Sequence, residues 1–436
     1  MSTAALRAPA PRIRIGRLRW WMIGLLMVGS MINYLTRSTL AVAAPTLMAD
    51  LHIGAQQYSW IVGAFTGAIM LQPLCGYVLD VLGLRLGFAL FAIAWSFISM
   101  AHGLANSWPA LFGLRGLLGL AEGSANPAGM KATSLWFPAR ERGFAGGLFN
   151  IGASFGSMLA PPLVAWAILF HSWRFAFVLT GVLGLVWASL WLWLYESPDK
   201  HTRLSEAERT YISAGQEAHL RGDGRRPSIL RILRRRNFWG IALPRFLADP
   251  TWGTLTLWLP LYLTQVRHFD LKQIALFAWL PFLAADLGCM AGGTISAALQ
   301  RYAGVRLINA RRAAFTAGAV LMTAVGFVGT VDSPYSAIAL LCIGGFAHQT
   351  LSVTVITMSS DLFSRNEVAT VAGMAGTFGN GGMLVFSLLM GGLVTTIGYS
   401  PFFVGLAVLD LVGALLLWTL VREPEALVEP APKAAA

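Results

Sequence analysis

Residues 174–195 read Arg174-Phe-Ala-Phe-Val-Leu-Thr-Gly-Val-Leu-Gly-Leu-Val-Trp-Ala-Ser-Leu-Trp-Leu-Trp-Leu-Tyr195, and after the first arginine no charged side chain interrupts them. At 1.5 Å of rise per residue such a run spans about 30 Å, the thickness of a bilayer's hydrocarbon core and well beyond a soluble core helix of about 10–14 residues. Eleven comparable runs fall at 20–44, 57–80, 86–105, 108–131, 143–170, 238–264, 272–300, 312–331, 334–358, 367–394 and 399–421. Hydrocarbon cannot satisfy the unpaired backbone groups of an open sheet, so each run is expected to be a helix. The fold expected is an all-α membrane protein with twelve transmembrane helices.

Composition agrees with that solvent. Of 436 residues, 56% are apolar and 12% charged, where a soluble domain carries about a quarter charged. This excludes a secreted disulfide scaffold, a disordered chain and a soluble nucleic-acid binder. The net charge of +12 is explained by topology. Arg7, Arg12, Arg14, Arg17 and Arg19 precede the first run and ten Lys or Arg fill 196–237, whereas only Arg174, Arg267 and Lys272 lie in the opposite joints. The positive-inside rule puts both basic segments, and hence both termini, in the cytoplasm. Arg231, Arg234, Arg235 and Arg236 precede a span and read as orientation charge, so no nucleic-acid partner is expected. The first run is a full span and is read as retained, not as a cleaved signal. Cys75, Cys289 and Cys342 all lie within spans and are read as packing residues.

The long joint divides the chain into a cytoplasmic tail (1–19), a six-helix half (20–195), a cytoplasmic linker (196–237), a second six-helix half (238–421) and a cytoplasmic tail (422–436). Ser205 and Glu208 have capping-box spacing and predict a short surface helix in the linker. The halves echo each other: Phe137, Arg140, Glu141 and Gly147-Leu-Phe-Asn150 resemble Phe363, Arg365, Glu367 and Gly376-Thr-Phe-Gly-Asn380. Two related halves around a midplane cavity are the plan of a rocking secondary transporter.

Gly76-Tyr-Val-Leu-Asp80-Val-Leu-Gly83-Leu-Arg85 resembles the loop signature of the major facilitator superfamily, and Arg115-Gly-Leu-Leu-Gly119-Leu-Ala-Glu122-Gly123 is similar to its helix-4 motif. More narrowly, Tyr34-Leu-Thr-Arg37, Phe137-Pro-Ala-Arg-Glu-Arg142, Ala160-Pro-Pro162, Pro244 to Gly253 and Ala284 to Cys289 resemble hexuronate transporters of the anion:cation symporter family. The resemblance runs from about Arg19 to Trp418. It implies proton-coupled uptake of a hexuronate such as D-galacturonate or D-glucuronate across the inner membrane. It also implies that Gly76, Asp80, Gly83 and Arg85 serve gating. Thr36 stands where many wider-family members carry Asp, so one proton per monoanion and nearly electroneutral transport are expected.

Charges inside the spans point to the site, because each costs about 2.5–3.5 kcal/mol to insert. Arg37 precedes Pro45 by eight residues and Arg115 follows Trp108 by seven, placing both about 10–12 Å below the outer surface. Two guanidinium groups at one depth suit an anion, since the planar fork matches a carboxylate. Arg37 has few acidic partners in the sequence. Glu122 lies seven residues after Arg115 on the same face, where burial disfavours its charge and an arginine favours it. It is therefore the expected proton carrier, competing with substrate for an arginine. Tyr34 shares the face of Arg37, and Asn150, Asn380 and Gln72 offer donors and acceptors to a polyol chain. Arg245 and Asp249 are spaced as an intrahelical ion pair, and Pro250 predicts a bend. Asp286, Asp410 and His348 read as packing polars or proton-path residues.

Gly152-Ala-Ser154-Phe-Gly156 fits a hydrolase pattern that needs a strand, a strained turn and a helix; within a span its glycines read as close helix contacts. The histidines have no metal spacing, and neither cofactor, metal nor enzymatic activity is expected. The expected partners are a sugar-acid anion, protons and the bilayer, with the chain a monomer. The rivals are transport of another organic anion (an aldonate, aldarate or aromatic acid), a transporter-like sensor of the same ligand, and a channel.

Overall fold

A computed structural model describes residues 17–137, 139–212, 229–363 and 365–423. The side chains of Asp80 and Asn150 lie outside the described set, although both backbones are helical. The first half contains α1 (Leu18–Leu51), α2 (Ala55–Ile69), α3 (Gln72–Leu82), α4 (Leu84–His102), α5 (Trp108–Glu122), α6 (Ala125–Trp136), α7 (Ala139–Phe170) and α8 (Trp173–Leu194). After the linker come α9 (Ile229–Leu233), α10 (Arg236–Gly253), a π-helical turn (Thr254–Trp258), α11 (Leu259–Gln265), α12 (Leu271–Phe277) and α13 (Leu280–Ala303). Then follow α14 (Leu307–Met322), a 3₁₀ turn (Thr323–Phe327), α15 (Pro334–Leu362), α16 (Arg365–Ile397) and α17 (Ser400–Leu420). The described residues are thus all-α. Taking α2 with α3, α5 with α6, α10 with the π-helical turn and α11, α12 with α13, and α14 with the 3₁₀ turn as single runs, the described residues form twelve membrane-length runs. Among the described residues, seven helical segments are long and apolar enough to span, α12 and α13 counted as one, or eight if α2 and α3, bent by 42°, form one span.

The same pairing scheme appears twice. In the first half α1 packs on α7, α2 on α5 and α4 on α8; in the second, α10 packs on α16, α13 on α15 and α14 on α17. Small residues allow these approaches. A Cβ on Gly152 or Gly156 of α7 would run into the carbonyls of Met27 and Met31 on α1, and one on Gly288 or Gly292 would run into those of Phe346 and Thr350. The hydrolase-like glycines therefore serve helix contact, by the small-residue packing that membranes favour. Across α4 and α8, Trp95, Trp187, Trp191 and Tyr195 stack in series, with Phe88 edge-on to the three tryptophans. Gly83 joins α3 to α4 with φ of 79°, a conformation that a side chain would strain.

The echo between halves has a structural counterpart. Arg19, just inside α1, reaches Glu141 at the start of α7 (3.0 Å), and Arg235, just before α10, reaches Glu367 at the start of α16 (2.6 Å). Arg19 also bridges to Glu208 in the linker (2.9 Å). The linker helix begins as its cap predicts, with the Glu208 amide donating to Ser205 Oγ (3.3 Å). The Glu208 carboxylate, which a full capping box would turn back on Ser205, is instead drawn to Arg19.

The halves meet mainly at the end that the charge pattern assigns to the outside. There α2 lies along α16, and Tyr58 donates to the Leu257 carbonyl (2.6 Å) while its ring meets Trp258 edge-on at 5.3 Å. Trp258 Nε1 in turn donates to Ser387 Oγ (2.9 Å). Beneath this seal a void of about 10 Å³, lined by Ser38, Ala41, Ser157, Leu255 and Thr256 among others, lies between α1, α7 and the second half. It has room for about one water.

Two expectations are corrected. α1 does not stop near Pro45 but continues to Leu51, so Arg37 lies 14 residues, about 21 Å, from its end rather than about 10–12 Å. Proline at this position is accommodated because the helix is held on both sides by α7 and α8. Helix continuity through Pro250 is likewise kept. The irregularity comes four residues later, as the π-helical turn, where Thr254 Oγ donates to the Pro250 carbonyl at 2.9 Å.

Candidate functional site

Arg37 projects from the middle of α1. Its Nε donates to Glu122 Oε2 on α5 (3.2 Å) and its Nη2 to Asn33 Oδ1 one turn earlier (3.3 Å). The guanidinium lies over the Tyr34 ring at 4.4 Å, as their shared helix face predicts, and over Phe65 of α2 at 5.2 Å. Arg115 of α5 approaches the same Phe65 ring (5.7 Å), and its Nη1 donates to the Arg37 carbonyl (3.4 Å). The structure thus brings both arginines, from different helices, into one cluster. Gly119 makes this possible, since a Cβ there would collide with the Phe65 carbonyl and hold α5 away from α2.

Two features differ from expectation. Glu122 pairs with Arg37, the arginine thought short of acidic partners, and not with Arg115 on its own helix. The seven-residue separation keeps Arg115 and Glu122 about 10.5 Å apart along the helix, while Arg37 reaches Glu122 directly from α1. The two guanidinium groups also differ in access. The Arg37 side chain is 19% exposed, whereas Arg115 is 1% exposed and sits behind it. Unmet polar atoms gather here: Arg115 Nε and Nη2, Glu122 Oε1 and Asn33 Nδ2 are buried without a hydrogen-bond partner among the described residues. Buried polar atoms are ordinarily satisfied, so this concentration singles the cluster out as the candidate site.

Along α1, Tyr34 is one turn from Ser38 and so occupies the face that meets the second half. Across that seam Asn380 is half-buried on α16, two turns before Ser387. Its neighbours Gly379 and Gly382 back onto the Asp249 carboxylate and the Phe246 carbonyl of α10. Arg245 and Asp249 form the expected ion pair (3.1 Å), and His348 of α15 stacks on Trp252. Gln72 opens α3, with its backbone against Gly123 at the break between α5 and α6, at the margin of the cluster. Asn150 is on α7, with its side chain outside the described residues. Asp286 is not a lone acid: Ser154 Oγ donates to it across the seam between α7 and α13 at 2.5 Å.

The residues expected to gate lie elsewhere. Gly76 faces Pro127 of α6, and Gly83 forms the turn into α4. Arg85 bonds the Leu192 carbonyl in the first half (2.6 Å) and Glu196, the first residue of the linker (2.6 Å), while the Asp80 side chain is outside the described residues. Sequence reasoning missed Asn33 and Phe65. Asn33 precedes Arg37 by one turn and could have been found by that spacing; Phe65 carries no sequence signal.

The family model described as Major Facilitator Superfamily matches residues 26–308 and 302–435. The chain is 51% identical to the "Hexuronate transporter" of Escherichia coli (strain K12), over 95% of this chain and 96% of that protein. It is 52% identical to the "Galacturonate transporter" of Dickeya chrysanthemi, over 75% of this chain and 95% of that one. Among solved structures, a bacterial homolog of the human lysosomal transporter Spinster superposes with a TM-score of 0.68 at 16% identity, covering 93% of this chain and 96% of that one, which is a likeness of fold. With its matched length, its paired helices in two halves and its spanning segments, the chain is a multi-pass membrane transporter of the Major Facilitator Superfamily.

Proposed function

We propose that the chain takes up a hexuronate, such as D-galacturonate or D-glucuronate, together with a proton by alternating access. The observation that carries this reading is the Arg37–Glu122 ion pair with Arg115 directly behind it. The relatives named for hexuronate and galacturonate transport supply the substrate class.

The pair suggests how anion and proton are tied together. While Glu122 is ionised it occupies Arg37, and a substrate carboxylate must compete for the same donor. A proton on Glu122 removes that competitor and leaves the Arg37 fork for the sugar acid, with Arg115 adding positive potential from behind. Leaving either a buried arginine or a buried carboxylate alone is costly, about 3–5 kcal/mol when one partner of a buried pair is removed. Substrate and proton therefore enter together or not at all. Tyr34, Asn380, Asn150 and Gln72 are assigned to the polyol hydroxyls, and Gly76, Asp80, Gly83 and Arg85 to the gate. Both termini and the 196–237 linker are placed in the cytoplasm, with 20–195 and 238–421 as the rocking halves of a monomer.

Uptake of labelled D-galacturonate into proteoliposomes tests this. Wild-type protein should accumulate it when the outside is acid, and Glu122→Gln should retain exchange between internal and external galacturonate while losing pH-driven accumulation. Proton-driven accumulation by Glu122→Gln would remove the assigned role of Glu122, and preference for an aldonate or aldarate in the same assay would replace the substrate.

A further inference from the structure

Asp410 lies at the middle of α17 with no exposed surface, and neither of its carboxylate oxygens has a hydrogen-bond partner among the described residues. Gly413, three residues later on the same face, backs onto Pro244 of α10, where a Cβ would stand 3.6 Å from the proline Cα. Asp410 therefore looks at the segment of α10 that carries Arg245 and Asp249, and Asp249 is within its electrostatic range. Asp249 is bridged to Arg245, and α16 presses on its carboxylate at Gly379, where no Cβ would fit. From α15, buried His348 lies within range of both Asp249 and Arg245. From α14 the same region receives the apolar ring of Phe315. The charged groups of α14 lie towards its start, where Arg311 meets Asp361 and Arg312 the Val421 carbonyl.

An ionised carboxylate that no protein donor reaches is too costly to bury, so Asp410 is held as the neutral acid in this conformation. Asp249 is bridged to Arg245 at 3.1 Å, and its side chain is 12% exposed. Both acids lie in the half that follows the linker, whereas Glu122 lies in the first half. We propose that Asp410 and Asp249 form a second proton-binding site, in the half that follows the linker, which is loaded and emptied in each transport cycle. The proton passes between solution and the partly exposed Asp249, and from there to Asp410; only O–H bonds form and break. This rests on the proton-coupled reading above and adds a proton to the one assigned to Glu122, so import of a hexuronate monoanion would carry net positive charge inward.

Charge movement in proteoliposomes tests it. In wild type, an inside-negative potential set by potassium and valinomycin should raise D-galacturonate accumulation above that produced by the pH gradient alone. Asp410→Asn, an isostere of the neutral acid, should lose that voltage response, the charge moved per hexuronate falling from one to zero, and Asp410→Glu should restore it. A voltage response equal to wild type in Asp410→Asn overturns the proposal, as does a wild-type uptake indifferent to potential. Absence of any pH-driven accumulation in wild type defeats the proton-coupled reading itself and this site with it. Should Asp410→Asn fail to assemble, infrared spectra of wild-type protein carrying ¹³C-labelled aspartate decide. The expected result is a protonated aspartic acid band, from a carboxyl group that exchanges its proton during galacturonate transport; no such band, or one that transport leaves untouched, is the overturning result.

Discussion

Arg37 makes three kinds of contact at once: an ion pair to Glu122, a hydrogen bond to Asn33 and a face-on contact with Tyr34. Lysine could keep the charge but not the fork or the stacking, because its ammonium is a point donor. A charge-assisted hydrogen bond contributes about 1.5–3 kcal/mol, so Arg37→Lys should raise the KM for galacturonate roughly tenfold to a hundredfold, measured as concentration-dependent exchange. Arg37 and Arg115 were legible in the sequence because each is a charge inside an apolar run. Their partner was not. Spacing along one helix relates Glu122 to Arg115, whereas the real pairing crosses from α5 to α1 and depends on how Gly119 lets helices approach.

At the scale of elements, the helix contacts rest on small residues that leave no room for growth. Gly156→Val would drive two methyl groups into the Met31 carbonyl and Tyr34. Overpacking of this kind costs about 1–3 kcal/mol, and a lower midpoint in thermal unfolding of the purified protein should show it. The linker offers a second test. His201 packs edge-on to Trp136, and its Nδ1 accepts from the Arg203 amide (3.2 Å). Burial holds the imidazole below its ordinary value of 6.5, so the unfolded segment binds the proton more readily than the docked one. Docking is therefore complete above about pH 6.5 and weakens as pH falls through and below it. Hydrogen exchange at residues 199–212, corrected for intrinsic rate, should report less protection at pH 5.5 than at 7.5, and His201→Gln should flatten the difference. The cap at Ser205 was readable from spacing, but the capture of Glu208 by Arg19 was not, because those residues are distant in sequence.

In the whole molecule, the all-helical frame was readable because bilayer thickness sets helix length. The order in which helices pair was not readable. It comes from the complementarity of glycines and carbonyls on different helices, repeated in each half as α1 with α7 and α10 with α16. The halves are joined chiefly at one end, where Tyr58 meets Leu257 and Trp258. Tyr58→Phe removes the hydroxyl that holds Leu257 while keeping the ring against Trp258, and should shift the population toward the opposite opening. Cysteine pairs placed across the α2–α16 seam should then cross-link less than in otherwise wild-type protein. The account as a whole turns on whether a sugar acid and a proton occupy the cluster around Arg37 together. Proton uptake from weakly buffered solution, recorded as saturating D-galacturonate is added to purified protein, measures this directly. The account predicts uptake of about one proton per bound hexuronate by wild type and none by Glu122→Gln; binding without proton uptake in wild type, or equal uptake by both proteins, would contradict it.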